Sequence, residues 1–198
     1  GVKTADAVLI REDDPIDNEA IIETVGLPCF VKPNDGGSSF GITKVEATSD
    51  LKAAISLALS HGNQVIIERF MQGREVTNGV YISTKGVVVL PITEIVTANG
   101  FFDFDAKYKG ESEEITPADL PIGITNKVKA VTQQIVELLA LKGIARADYI
   151  IQGDDPYLIE INTIPGMSAA SLIPQMAASA DIRLKDLLSE VLAVALKK

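Results

Sequence analysis

Two short segments near the C-terminal end, ARADYII (145–151) and YLIEINT (157–163), set charged and amide side chains among apolar ones. Each reads as a strand, over 144–152 and 157–163, joined by the turn Gly153-Asp154-Asp155-Pro156. Side chains in a strand alternate between faces, so Arg146 and Asp148 share one face, and Glu160 and Asn162 share one face of the partner. With an odd number of residues left unpaired in the turn, Asp148 lies opposite Asn162 and Glu160 opposite Ile150, all on the same side. Two carboxylates and an amide oxygen converging in apolar surroundings are costly unless a cation neutralises them. Their hard oxygens suit Mg²⁺ or Mn²⁺, and so few protein ligands leave coordination positions for phosphate oxygens. The same residues would also serve as solvated side chains on an open sheet face, or as partners of Arg146.

A second constellation places Lys32 and Pro33 at a strand end before Asn34-Asp35-Gly36-Gly37-Ser38-Ser39. Glycines allow backbone N–H groups to approach an anion, serine hydroxyls add donors, and the lysine adds a point charge. The spacing is not that of a Walker loop, and a plain Gly/Ser turn accounts for the segment equally well. Glu68 in VIIERF and Glu75, seven residues on, could accept from an adenine amino group or a ribose hydroxyl, or simply be surface carboxylates. Lys107 and Tyr108 offer a cation and a phenol, or a solvated lysine and a packing tyrosine. His61, before Gly62, reads as a helix C-terminal residue, and Cys29, among apolar neighbours, as a core residue.

The elements that must hold these groups follow from periodicity. A strand over 7–10, a helix over 17–25, a strand over 28–33, a Gly/Ser loop, a strand over 42–47, a helix over 51–59 and a strand over 64–70 make a first α+β unit. Strands over 75–82 and 87–96 open the second part, followed by an irregular stretch over 99–121 long enough to suggest a functional lid. A helix over 125–141 should turn Val128, Val131, Ile135 and Leu138 inward; one over 183–196 should bury Leu184, Leu187, Leu188, Val191 and Leu192. The 198 residues suit one large domain or two small ones. With 18 basic against 27 acidic side chains the net charge is −9, which disfavours nonspecific nucleic-acid or anionic-membrane binding. A single cysteine excludes an internal disulfide, and a reducing cytoplasm is the simple expectation.

Taken together, LPCFVKPNDGGSSFGITKV (27–45), VIIERFMQGREVT (65–77), FFDFDAKY (101–108), TPADLP (116–121), GIARADYII (143–151) and YLIEINTIPGMSAASLIP (157–174) resemble the ATP-grasp superfamily and, closely, its D-alanine-D-alanine ligases. The last stretch is the most specific. The resemblance implies an α+β ATP-grasp fold in which two subdomains, 1–75 and 76–198, grip ATP between antiparallel sheets. It implies a cytoplasmic enzyme of peptidoglycan precursor synthesis that phosphorylates one D-alanine with ATP and joins the acylphosphate to the amine of a second. Lys32, Gly37, Ser38 and Ser39 would then contact phosphates, Ser38 also holding the first D-alanine. Glu68 and Glu75 would bind adenine and ribose, with Arg69, Phe70 and Met71 at the adenine edge. Asp148, Glu160 and Asn162 would hold two Mg²⁺ (or Mn²⁺) ions, while Arg146 and the Gly166 N–H would stabilise developing charge. Lys107 and Tyr108 would lie on a covering loop, and Ser171 and Leu172 would bind the second D-alanine.

The family carries a further N-terminal domain, through which full-length members pair as homodimers. The sequence here is therefore expected to be the central plus C-terminal portion, binding Mg-ATP weakly and inactive alone. Two alternatives stand beside this reading: an ATP-grasp ligase joining D-alanine to another amino or hydroxy acid, and a noncatalytic nucleotide-binding module. The second predicts decay of the metal residues, which are intact.

Overall fold

The computed structural model describes residues 1–35, 40–97 and 112–197, which form two compact bodies. The first, within 5–71, is a four-stranded antiparallel sheet in the order β1-β4-β2-β3, from β1 (Ala7–Arg11), β2 (Cys29–Pro33), β3 (Thr43–Val45) and β4 (Gln64–Arg69). Its helices are α1 (Asn18–Val25) and α2 (Leu51–Leu59). Helix α1 begins where Asp17 Oδ1 accepts from the N–H groups of Glu19 and Ala20, both at 3.1 Å. It stops at Gly26, whose φ of 72° suits glycine. The alternation of β2 and β4 buries Cys29, Val31, Val65 and Ile67 against Ile21, Val25, Leu51, Ile55 and Ala58 of the helices. Burial pushes the Cys29 thiol above its ordinary value, as a packing residue requires. The other face of the same strands presents Phe30, Lys32, Ile66 and Glu68, all half-buried.

The second body holds a five-stranded antiparallel sheet in the order β7-β6-β5-β8-β9. Its strands are β5 (Arg74–Ser83), β6 (Gly86–Thr97), β7 (Ser112–Ile115), β8 (Ile144–Gln152) and β9 (Asp155–Asn162). Helices α3 (Ile122–Leu138), α4 (Leu172–Ser179) and α5 (Leu184–Leu196) complete it. Ile124, Val128 and Ile135 of α3 cover Val76, Ile92, Ala147 and Tyr149 on one face of the sheet. The Tyr149 hydroxyl shares a 2.8 Å hydrogen bond with Thr132, and burial pushes it up to about 12. Arg146, Asp148, Thr77 and Gly79 lie on the opposite face, where α4 rests over Gly79.

Residues 1–4 belong to this second body and blunt its edge. Thr4 bridges Leu158 in parallel, the Leu158 N–H donates to Lys3 O at 2.9 Å, and Lys3 Nζ meets Asp155 Oδ2 at 2.7 Å. The edge strand β9 thus gains a partner along part of its free side. No described helix is long and apolar enough to cross a membrane.

Several elements depart from expectation. Helix α3 spans 122–138 in place of 125–141, because Pro121 suits the residue before a helix start and Ala140, at φ 48°, closes the end. Leu138 consequently points outward, 68% exposed, although Val128 and Ile135 are buried as expected. Strand β7 lies inside the stretch expected to be irregular, paired with β6 from Glu94↔Ile115 to Thr97↔Ser112. Helix α4 was not expected at all; Pro174 sits within its first turn, where a missing N–H costs nothing. On α5 only Leu187 is fully buried, while Leu188 and Leu192 of the expected apolar face are exposed.

Candidate functional site

The β8–β9 hairpin has an even turn, not an odd one. Gln152 pairs with Asp155, leaving two residues, Gly153 and Asp154, in the turn. Continued without interruption, that register would place Asp148 opposite Ile159 and turn Glu160 to the other face. A register shift between Asp148 and Tyr149 absorbs Ile159 as an extra residue, so Asp148 pairs with Glu160 and Arg146 with Asn162. The bulge corrects the expected pairing while keeping all four polar side chains on one face.

Asp148 is the hub of that face. Arg146 grips it bidentately, Nε to Oδ1 and the guanidinium terminus to Oδ2, both at 2.8 Å. Thr77 on β5 donates to Oδ1 at 2.5 Å, and Asn162 Nδ2 donates to Oδ2 at 3.1 Å and to Glu160 Oε1 at 3.0 Å. Asp148 is only 9% exposed, whereas Glu160 faces solvent. Burial by itself would lower the Arg146 pKa, but the hydrogen bonds and charge of Asp148, with Glu160 and Glu114 beyond, outweigh it and hold the guanidinium above its ordinary value. Thr77 escaped the sequence reading. Its signal was the alternation of Glu75, Thr77 and Gly79 along a strand adjoining β8.

This donor set fits a hard divalent cation. One guanidinium against two carboxylates leaves one negative charge, and the Glu160 carboxylate and the Asn162 amide, its nitrogen inward, stand beside a hub whose own oxygens already accept four hydrogen bonds. Among the described residues no three His, Cys, Asp or Glu side chains group to hold a metal unaided, so further oxygens would have to come from a ligand.

The turn that follows β9 is closed on itself. The Ser168 N–H donates to Ser171 Oγ at 3.1 Å, the Ser171 N–H donates back to Ser168 O at 2.9 Å, and a side chain on Gly166 would stand 2.7 Å from Ser171 Oγ. Ser171 precedes α4 and Leu172 opens it, buried.

In the first body Lys32 and Glu68 come together on the face away from the helices, Nζ to Oε2 at 2.5 Å, each about one-sixth exposed. Cross-strand pairing explains the meeting: Phe30 is opposite Glu68 and Lys32 opposite Ile66. Arg69 turns to Asp6 at 3.0 Å, and the backbone N–H groups of Arg69 and Phe70 donate to Asp6 O and Pro28 O. The Phe70 ring lies 5.8 Å from Phe30 and 5.1 Å from Lys44 Nζ, with Met71 half-buried beyond it. Glu75 lies in the second body, paired with Ile95 and Ile150. Gly37, Ser38, Ser39, Lys107 and Tyr108 fall outside the described residues.

Two α+β bodies of this kind, a small antiparallel sheet backed by two helices and a larger one carrying acidic residues opposite its long helix, are those of the ATP-grasp fold. Residues 1–193 match the family model of the D-ala D-ala ligase C-terminus, and the chain belongs to that family. It is 46% identical over 193 residues to the D-alanine--D-alanine ligase of Phocaeicola vulgatus, covering 97% of this chain and 60% of that protein. Among solved structures it resembles the D-alanine--D-alanine ligase from Bacillus anthracis complexed with ATP, at TM-score 0.82 and 26% identity over 99% of this chain and 61% of that one. It also resembles the D-Ala:D-Ser ligase from Enterococcus faecalis, at TM-score 0.84 and 30% identity over 98% and 57%. The chain thus spans about three fifths of the length of the curated relatives it matches.

Proposed function

We propose that this chain is the nucleotide- and metal-handling part of an ATP-dependent ligase that joins two D-alanine molecules. The observation that supports it most is the Arg146-Asp148-Glu160-Asn162 face, assembled by a bulge inside a chain whose residues 1–193 match the ligase C-terminus family. The body within 5–71 and the body of 1–4, 72–97 and 112–197, in place of the expected 1–75 and 76–198, would each contribute part of the machinery.

Lys32 would exchange its bond with Glu68 for a nucleotide phosphate, leaving Glu68 to accept from the base or sugar, with Glu75, and with Arg69, Phe70 and Met71 beside the base. Gly37, Ser38 and Ser39 would add donors to the phosphates, Ser38 also meeting the first D-alanine, and Lys107 and Tyr108 would cover the reactants. Asp148, Glu160 and Asn162 would hold two Mg²⁺ or Mn²⁺ ions, whose charge neutralises phosphate oxygens in transfer reactions. Turning the Asn162 amide about its last torsion would present its oxygen where its nitrogen now donates. A carboxylate is a poor acyl donor, so activation by phosphorylation precedes attack by the second amine. Arg146, held by Asp148, and the Gly166 N–H would stabilise the oxyanion that forms at that carbon. Ser171 and Leu172 would seat the second substrate's carboxylate.

Phosphate release with ATP, Mg²⁺ and D-alanine, measured on the protein at the length of its relatives, tests the reading, with D-serine and D-lactate as competing acceptors. ATP- and D-alanine-dependent release with D-alanyl-D-alanine as product is expected. Release without dipeptide, or a clear preference for D-serine or D-lactate, would overturn the substrate assignment. Homodimers and cytoplasmic residence belong to the same proposal, checked by light scattering and cell fractionation.

A further inference from the structure

Helix α4 rests on the sheet at two points, both tied to Arg146. At the first, Gly79 pairs directly with Arg146 across β5 and β8, and its N–H donates to Met176 Sδ at 3.2 Å. A methyl group at position 79 would stand 2.6 Å from Ile173 Cδ1, 2.9 Å from Met176 Sδ and 3.0 Å from Leu90 Cδ1, all side chains that are essentially fully buried. The β5–β6 register shifts between Asn78 and Val80, so Gly79 has no partner on β6, and Asn78 Nδ2 closes the gap by donating to Leu90 O at 2.8 Å. Helix and sheet therefore approach as closely as bare backbone allows.

At the second point one amide group does two things. Gln175 Nε2 donates to Glu114 Oε2 on β7 at 2.8 Å and to Ala170 O at 3.0 Å. Glu114 is among the carboxylates whose charge acts on Arg146. Ala170 precedes Ser171, so Gln175 fastens the 166–171 turn to β7 through Glu114.

We propose that Gly79, Gln175 and Met176 are positioning residues for the acceptor subsite, fixing the 166–171 turn at a set distance from Arg146. The inference rests on the ligase reading above, in which that turn meets the second amino acid. Its consequence is selective: loosening α4 moves the acceptor's seat and leaves Lys32, Glu68 and the Asp148 cluster in place.

The test uses the ligase at the length of its relatives, with D-alanine varied above the concentration that saturates the donor. Gln175→Leu removes both hydrogen bonds, whereas Gln175→Lys keeps a donor for both acceptors. Gln175→Leu should raise the acceptor KM about tenfold with kcat and the KM for ATP close to wild type, and should lower the melting temperature as two net hydrogen bonds are lost from the fold. Gln175→Lys should restore the acceptor KM to within about threefold. An unchanged acceptor KM in Gln175→Leu, an equal rise in the KM for ATP, or no rescue by lysine would overturn the proposal. Met176→Leu, which keeps the apolar seat and loses the sulfur acceptor, should shift the acceptor KM in the same direction by a smaller factor; a shift confined to ATP would count against it. A wild-type enzyme that forms no dipeptide would remove the ligase reading itself. A competent wild type with unshifted variants removes this inference alone.

Discussion

Lys32–Glu68 and Arg146–Asp148 are both close ion pairs on the polar face of an antiparallel sheet, yet they are built differently. The first is one ammonium against one carboxylate, joined at a single contact. The second is a planar fork closed at two contacts, with a threonine and an asparagine occupying the rest of the carboxylate. A lysine held at one point can give up its partner to an incoming anion at modest cost. A carboxylate accepting four hydrogen bonds cannot be released without stranding a guanidinium that is largely out of water. The first pair is suited to exchange, the second to fixing the direction of its neighbours.

Breaking the second pair should have the largest effect. Asp148→Ala leaves Arg146 without its counter-ion and should lower stability by about 3 to 5 kcal/mol, read as a large drop in melting temperature; a melt like wild type would show that the hub is not structural. Glu160→Ala, on the exposed rim of the same face, should leave stability within about 0.5 kcal/mol of wild type. Calorimetry should show its Mg-ATP affinity falling about tenfold or more, and unchanged affinity would refute its role as a ligand.

Lys32→Met should lower stability by about 1 to 3 kcal/mol, less than Asp148→Ala because it breaks one contact where that change breaks four, while weakening nucleotide binding. A stability loss matching that of Asp148→Ala would erase the contrast between the pairs. The smallest effect belongs to Lys3→Met. Lys3 first, then Lys127, holds the Asp155 carboxyl below its ordinary value. A carboxyl depressed in the fold stabilises it above its unfolded value, about 3.9, and loses that contribution as pH falls through the folded value. The melting temperatures of wild type and Lys3→Met should therefore differ slightly near neutrality and converge below about pH 4; a gap that widens on acidification would reverse the assignment.

The strands of the first body, α2 and β8 were legible because one-sided burial imposes alternation or a helical stripe. Strand β7 was not, since SEEI shows little apolar pattern, and α4 was hidden by a proline that reads as a stop signal unless its place in the first turn is known. In the site, period two was enough to group Arg146 with Asp148 and Glu160 with Asn162. It could not say which residues face each other, because nothing in LIEI marks Ile159 as the one to be left out of the ladder. Thr77, Glu114 and Gln175 were missed for a related reason: their partners are distant in sequence, and uncharged or single carboxylate residues stand out only once strand order is known.

The bulge at Ile159 also makes the hairpin tolerant of a particular kind of change. Two features, turn length and bulge, each reverse which side of the ribbon a residue occupies, and only their combined parity matters to Asp148 and Glu160. A three-residue turn with no bulge would present the same four side chains to the same side. Deleting Ile159 while keeping the two-residue turn should likewise seat Glu160 opposite Asp148 in an unbulged ladder and preserve metal-dependent nucleotide binding; loss of that binding would show that the bulge itself is needed.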